Sequence, residues 1–180
     1  MSNRTQNVLA AACTLGLCAL VLACAEPRAG TAPTEAGARK ENPARWIGVR
    51  HPPLPPGVEW VGGALLDPLE EVEFGIEEVT HHSDRLLWLD VLTHRDVSGA
   101  AHWEVLDVLA PPPLRDDQVL VLRDCQLDGH PDTEIVAVAE QTNGRFHTRI
   151  AAAWRANRAT RRFEKMRTAG ITCENTGYGL

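Results

Sequence analysis

The chain has 180 residues, a length suited to one ordinary domain, and 44% of them are apolar, enough to build a core. Its 24 acidic side chains against 18 Lys and Arg give a formal charge of -6. That balance argues against general nucleic-acid binding, which needs clustered cations facing phosphate.

At the amino terminus, Asn3 to Asn7 is polar and carries one charge, Arg4. Val8 to Leu22 then runs apolar for 15 residues. Such a run is short for a bilayer span and suits the core of a secretory signal. It ends in Val21-Leu22-Ala23-Cys24, which resembles the lipobox of bacterial lipoproteins. The resemblance implies cleavage before Cys24, diacylation of its thiol and acylation of the new amino group. Leu22 is bulkier than the commonest residue at that place, and a plain signal cut near Ala23 or Ala25 is the alternative. Ala25 rather than Asp follows the Cys, which resembles the outer-membrane sorting pattern of Gram-negative cells. The expected location is therefore the cell envelope, at the outer membrane facing the periplasm, with the bilayer as partner through the acyl chains.

Ala25 to Arg45 holds no aliphatic or aromatic side chain larger than Ala. Such a segment cannot offset the entropy of ordering, so a disordered linker with a reach of roughly 25 Å is expected. The domain plan is then 1–23 signal peptide, 24–45 lipidated Cys and linker, and 46–180 one β-rich globular domain. His51 to Gly57, HPPLPPG, favours polyproline II and reads as a rigid lead-in loop rather than a ligand for a proline-binding domain.

Beyond it the pattern is of strands separated by turn residues. Val58 to Leu66 is a short apolar stretch. In Val72 to Val79, apolar Val72, Phe74 and Ile76 alternate with Glu73 and Glu77. Leu86 to Leu92, LLWLDVL, follows a turn at His81 to Asp84. Trp103 to Val108, Gln118 to Leu122 and Glu134 to Ala139 continue the series. Residues 148–166 are ambiguous: the alanines and arginines suit a helix, while Ile150, Ala152 and Trp154 alternate and Asn157 to Thr160 suits a turn. A hairpin is favoured. The fold class is mainly β, with antiparallel hairpins in one small domain; a helix near 148–166 would make it α+β.

Of five cysteines, Cys13 and Cys18 leave with the signal and Cys24 carries lipid. Cys125 and Cys173 remain, in an oxidising compartment, and are expected to form a disulfide.

Asp124, Gln126, Asp128, Gly129 and Asp132 precede an apolar run at 135–138. This spacing resembles the calcium loop of the integrin-type propeller repeat (FG-GAP or VCBS), over residues 124–166 at most. The resemblance implies Ca2+ held by Asp124, Gln126, Asp128 and Asp132. Gln126 stands where the family has Asp or Asn, and Ile135 rather than Glu stands at position twelve. The alternative is an Asp-rich turn whose carboxylates cap backbone N–H groups.

Charge is uneven. Residues 59–134 hold 18 acidic and 4 basic side chains, and residues 145–168 hold 8 basic and 1 acidic. The basic segment either packs beside the acidic sheet as scattered pairs or offers a face to anionic headgroups. No GxSxG, HExxH or phosphate-binding loop is present, and His94-Arg95-Asp96 lacks the context of a kinase catalytic loop. The expectation is a non-enzymatic envelope lipoprotein, a binding or assembly module for an envelope protein or glycan. The alternatives are a small periplasmic hydrolase gathering His81, His94 or His102 with carboxylates, and an inhibitor of another enzyme.

Overall fold

The structure, a computed structural model, describes residues 42–66 and 72–179. The expected signal, the expected lipobox with Cys24, and the expected linker up to residue 41 lie outside the described residues. The described body begins with Asn42, whose side chain accepts a hydrogen bond from the Ala44 N–H and caps a 3-10 turn, Pro43–Trp46. Trp46 is buried in the domain. The body thus includes Asn42 to Arg45, ahead of the Trp46 start expected from the sequence.

Thirteen strands follow: β1 Arg50–His51, β2 Val58–Leu65, β3 Phe74–His81, β4 Asp84–Arg95, β5 Ala101–Leu109, β6 Gln118–Val121, β7 Cys125–Leu127, β8 His130–Pro131, β9 Ile135–Glu140, β10 Phe146–His147, β11 Ile150–Asn157, β12 Arg162–Lys165 and β13 Ile171–Glu174. They form three sheets, ordered β1-β5-β4-β3-β2, β12-β11-β9-β6 and β10-β13-β7-β8. Every pairing is antiparallel. The expected mainly β architecture holds, and 150–165 is the hairpin β11–β12 rather than a helix.

Packing explains the local patterns. One face of the five-stranded sheet sends Phe74, Ile76, Leu87 and Leu89 against Val136 and Ala156 of the second sheet. Its other face sends Val79, Trp88 and Val105 against Trp46 and Val58. Both faces are therefore covered. β9 is central in the second sheet: Val136 faces the first sheet, while Ile135 and Ala137 pack with Val121, Cys125, Ile171 and Cys173. A strand buried on both sides needs a continuous apolar run, which is why Ile135 to Ala139 reads as one.

Two-residue turns close two of the hairpins. His82 and Ser83 between β3 and β4, and Asp128 and Gly129 between β7 and β8, all have positive φ, the twist that tight hairpins require. In the run from His51, the His51–Pro52 and Pro52–Pro53 bonds are cis.

The expected disulfide is present. Cys125 and Cys173 face each other across β7 and β13, and join the carboxy-terminal strand to the Asp-rich loop. Gly170, just ahead of β13, sits at φ +81 with its α-carbon against the Asp128 carboxylate, so a Cβ has no room there.

The basic segment pairs with acidic neighbours. Arg155 binds Asp132 at 2.6 Å and Glu134 at 2.8 Å, and Arg158 binds Glu134 at 2.7 Å. Burial alone would raise the Glu134 carboxyl, but the hydrogen bonds and charge of Arg158 and Arg155 together hold it below its ordinary value. A carboxylate depressed in the folded state stabilises the fold above its unfolded value of about 4.5 and loses that contribution as pH falls through the folded value. Glu134→Gln is expected to cost roughly 1–3 kcal/mol near neutrality. It should also flatten the acid limb of stability, read from urea midpoints measured across pH.

Candidate functional site

The face of the five-stranded sheet that carries Val79 and Trp88 also carries Glu77 and Asp90, two residues along each strand. Glu77 pairs with Trp88 and Gly63, and Asp90 pairs with Gly75. Strand register shifts beside them, between Trp60 and Gly62 on β2 and between Leu89 and Asp90 on β4. Such bulges re-aim side chains locally. His51 comes in from β1, whose partner across the ladder is Trp103 of β5.

The three side chains meet. His51 Nε2 lies 3.5 Å from Asp90 Oδ2, and His51 Nδ1 lies 3.8 Å from Glu77 Oε2. One ligand-capable atom from each residue falls within 4.8 Å of the others; this is the one such group of three His, Cys, Asp or Glu among the described residues. Asp90 is 0% exposed and His51 4%. Neither Asp90 carboxylate oxygen, nor His51 Nε2, nor Trp88 Nε1 has a hydrogen-bond partner within the protein. The His51–Asp90 contact is long for a hydrogen bond, so it acts as an electrostatic pair.

The electrostatics follow from burial. Desolvation, and next the charge of Asp90, push Glu77 up to about 7, with His51 pulling the other way. Desolvation also raises Asp90 against the opposing effect of His51. Burial would lower His51, but Asp90 and then Glu77 outweigh it and the imidazole is raised. Burial drives both carboxyls toward the neutral form, while the carboxylates draw the imidazole toward its charged one.

Glu77 and Asp90 open into a cleft of about 190 Å³ lined also by Trp60, Gly63, Gly75 and Trp103. The two glycines make the space. A Cβ at Gly75 would stand 3.7 Å from the Trp103 ring, and one at Gly63 would stand 3.0 Å from the Ile76 carbonyl. Trp60 is 59% exposed, an apolar ring left in water at the mouth of the cleft. Such a ring beside an acidic floor can stack on a ligand or hold a cation on its face.

The residues singled out in the sequence lie elsewhere. Gln126 donates its amide to the Thr172 hydroxyl at 2.8 Å. Asp128 sits in the tight turn against Gly170. Asp132 accepts the Glu134 N–H and pairs with Arg155, and Asp124 is half exposed beside Arg123. Asp124, Gln126 and Asp132 line one pocket, and among the described residues the three Asp carboxylates do not gather within 4.8 Å of one another as the His51 group does. His94 and His102 stack at 4.4 Å at an exposed sheet end, with Asp96 3.6 Å from His102. His81 packs on Trp46 at the opposite end of β4. The histidine that joins carboxylates is His51, which sequence reasoning placed only in a proline loop. Glu77 also departs from expectation: as one of the charged residues alternating with Phe74 and Ile76, it belonged on a solvent face, but that face is covered by Trp46 and the lead-in loop.

No family model matches the chain, and no curated protein or solved structure matches it.

Proposed function

We propose that this is an exported lipoprotein, held at the outer membrane through Cys24 and facing the periplasm, whose β domain is a non-enzymatic binding module. The observation that carries the reading is the Cys125–Cys173 disulfide. Structural disulfides form and persist in oxidising compartments, and a periplasmic address supplies one. The lipobox at Val21 to Cys24 supports the anchor, and two or three acyl chains hold a protein on a bilayer in effect permanently. The cleft between Trp60 and Trp103 gives the domain a place to bind a ligand from the envelope, and its acidic floor favours a cationic one.

Fractionation of a Gram-negative host tests the anchor. The wild-type chain is expected in the membrane fraction and Cys24→Ala in the soluble periplasmic fraction. A Cys24→Ala protein that stays with the membranes would remove the basis for the reading.

A second reading, a small hydrolase, is favoured by one observation: a carboxyl at about 7 beside an ionisable Asp is what acid–base chemistry needs. The cleft offers this chemistry two carboxyl groups, Glu77 and Asp90, and no Ser, Thr, Cys or Lys for acyl transfer. Turnover of a glycoside or ester that disappears in Glu77→Gln would establish that reading in place of the module.

A further inference from the structure

We propose that His51, Glu77 and Asp90 form a binding site for a divalent transition-metal cation of the zinc class, open toward the cleft between Trp60 and Trp103. The proposal deepens the module reading by naming its ligand, and it rests on that reading only for its physiological setting.

Charge balance is the first argument. The group offers two carboxylates and one imidazole, with Asp90 and His51 almost wholly buried. A dication with neutral His51 brings the sum to zero. Burying an uncompensated carboxylate is among the costliest arrangements in a protein, and buried charges are paired or coordinate metals.

The second argument is the unpartnered atoms. Asp90 is fully buried, yet both its oxygens lack protein donors, and so does His51 Nε2. An arrangement evolved as an ion pair or a proton-sharing pair would bring these atoms to hydrogen-bond distance, about 2.7–2.9 Å. They stand instead 3.5 Å apart. Two ligands each about 2.1 Å from a shared cation stand roughly 3–4 Å apart, so the spacing is that of co-ligands.

The third argument is the donor set. One imidazole with two carboxylates suits zinc and its first-row neighbours, whereas calcium selects oxygen alone. Glu77, which lines the cleft and is 21% exposed, offers a carboxylate oxygen within 4.8 Å of a ligand atom of each of the other two as third ligand. A cation in this place keeps its remaining coordination positions toward the cleft, where Trp60 and Trp103 wall off the ligand it would hold.

The test is calorimetric titration of the purified full chain, stripped with a chelator, with zinc chloride as probe. One site with a dissociation constant in the micromolar range or tighter is expected. Asp90→Asn and Glu77→Gln should each weaken it by about 100-fold or more. Thermal unfolding controls for misfolding. In chelator, Asp90→Asn is expected to unfold in one cooperative transition, which shows that it folds. Zinc should raise the wild-type midpoint and leave that of Asp90→Asn unmoved. Absence of binding at about 100 µM zinc, or equal affinity in both variants, overturns the site. Either result leaves the anchoring at Cys24 untouched, so the two failures are distinguishable.

Discussion

Removing the Cys125–Cys173 disulfide, by reductant or by the double change Cys125→Ala and Cys173→Ala, is expected to cost about 4 kcal/mol. That figure follows from the entropy returned to an unfolded chain once a staple spanning 48 residues is cut. For a domain of this size it corresponds to a fall in melting temperature of roughly 8–16 °C. The loss should concentrate in the third sheet. Its strands are two to four residues long, and Cys125 and Cys173 form part of the cluster that joins it to Ile135, Ala137 and Ala153. Circular dichroism melts with and without reductant measure the effect, and hydrogen exchange should show β7 and β13 opening first. An unchanged melt would mean that the strand pairing alone holds this layer.

Leu89→Ala is expected to cost about 2–5 kcal/mol, the range for truncating a large buried aliphatic side chain. Leu89 is 0% exposed and sits in the cluster that joins the five-stranded sheet to the second sheet through Val136 and Ala156. The cavity would open between two sheets held apart by their own hydrogen-bond ladders, which leaves little scope for collapse, so the upper half of the range is expected. Val97→Ser is the control. Val97 is fully exposed at a hairpin tip, and its replacement should stay within about 0.5 kcal/mol. Denaturant midpoints on both variants compare the two directly.

The strands were legible because their signals are local. Ile135 to Ala139 is apolar throughout because β9 has a sheet on each side, and Leu86 to Leu89 because both faces of β4 are covered. The disulfide followed from the expectation of an oxidising compartment and from simple counting of cysteines. Residues 148–166 were ambiguous because Ala and Arg favour a helix in isolation; pairing of β11 with β9 overrides that propensity. The candidate site was not legible. His51, Glu77 and Asp90 are joined by tertiary packing: β1 lies two strands from β4 and three from β3 in the sheet, and the His51 ring reaches both by packing against Trp88. No spacing in the sequence carries that information. One signal was available: Asp90 interrupts the apolar LLWLDVL run two residues after Trp88, on the same face. A lone Asp at a core-facing strand position is a polar group that needs a partner.

The proposed anchor and the proposed compartment meet in a single residue, Cys24. Mass spectrometry of the amino-terminal peptide from membrane-purified protein tests it most directly. The expected result is a mature chain that begins at Cys24 and carries a diacylglyceryl thioether and an amide-linked acyl chain. An unmodified terminus at Ala25, or an intact chain from Met1, would contradict it.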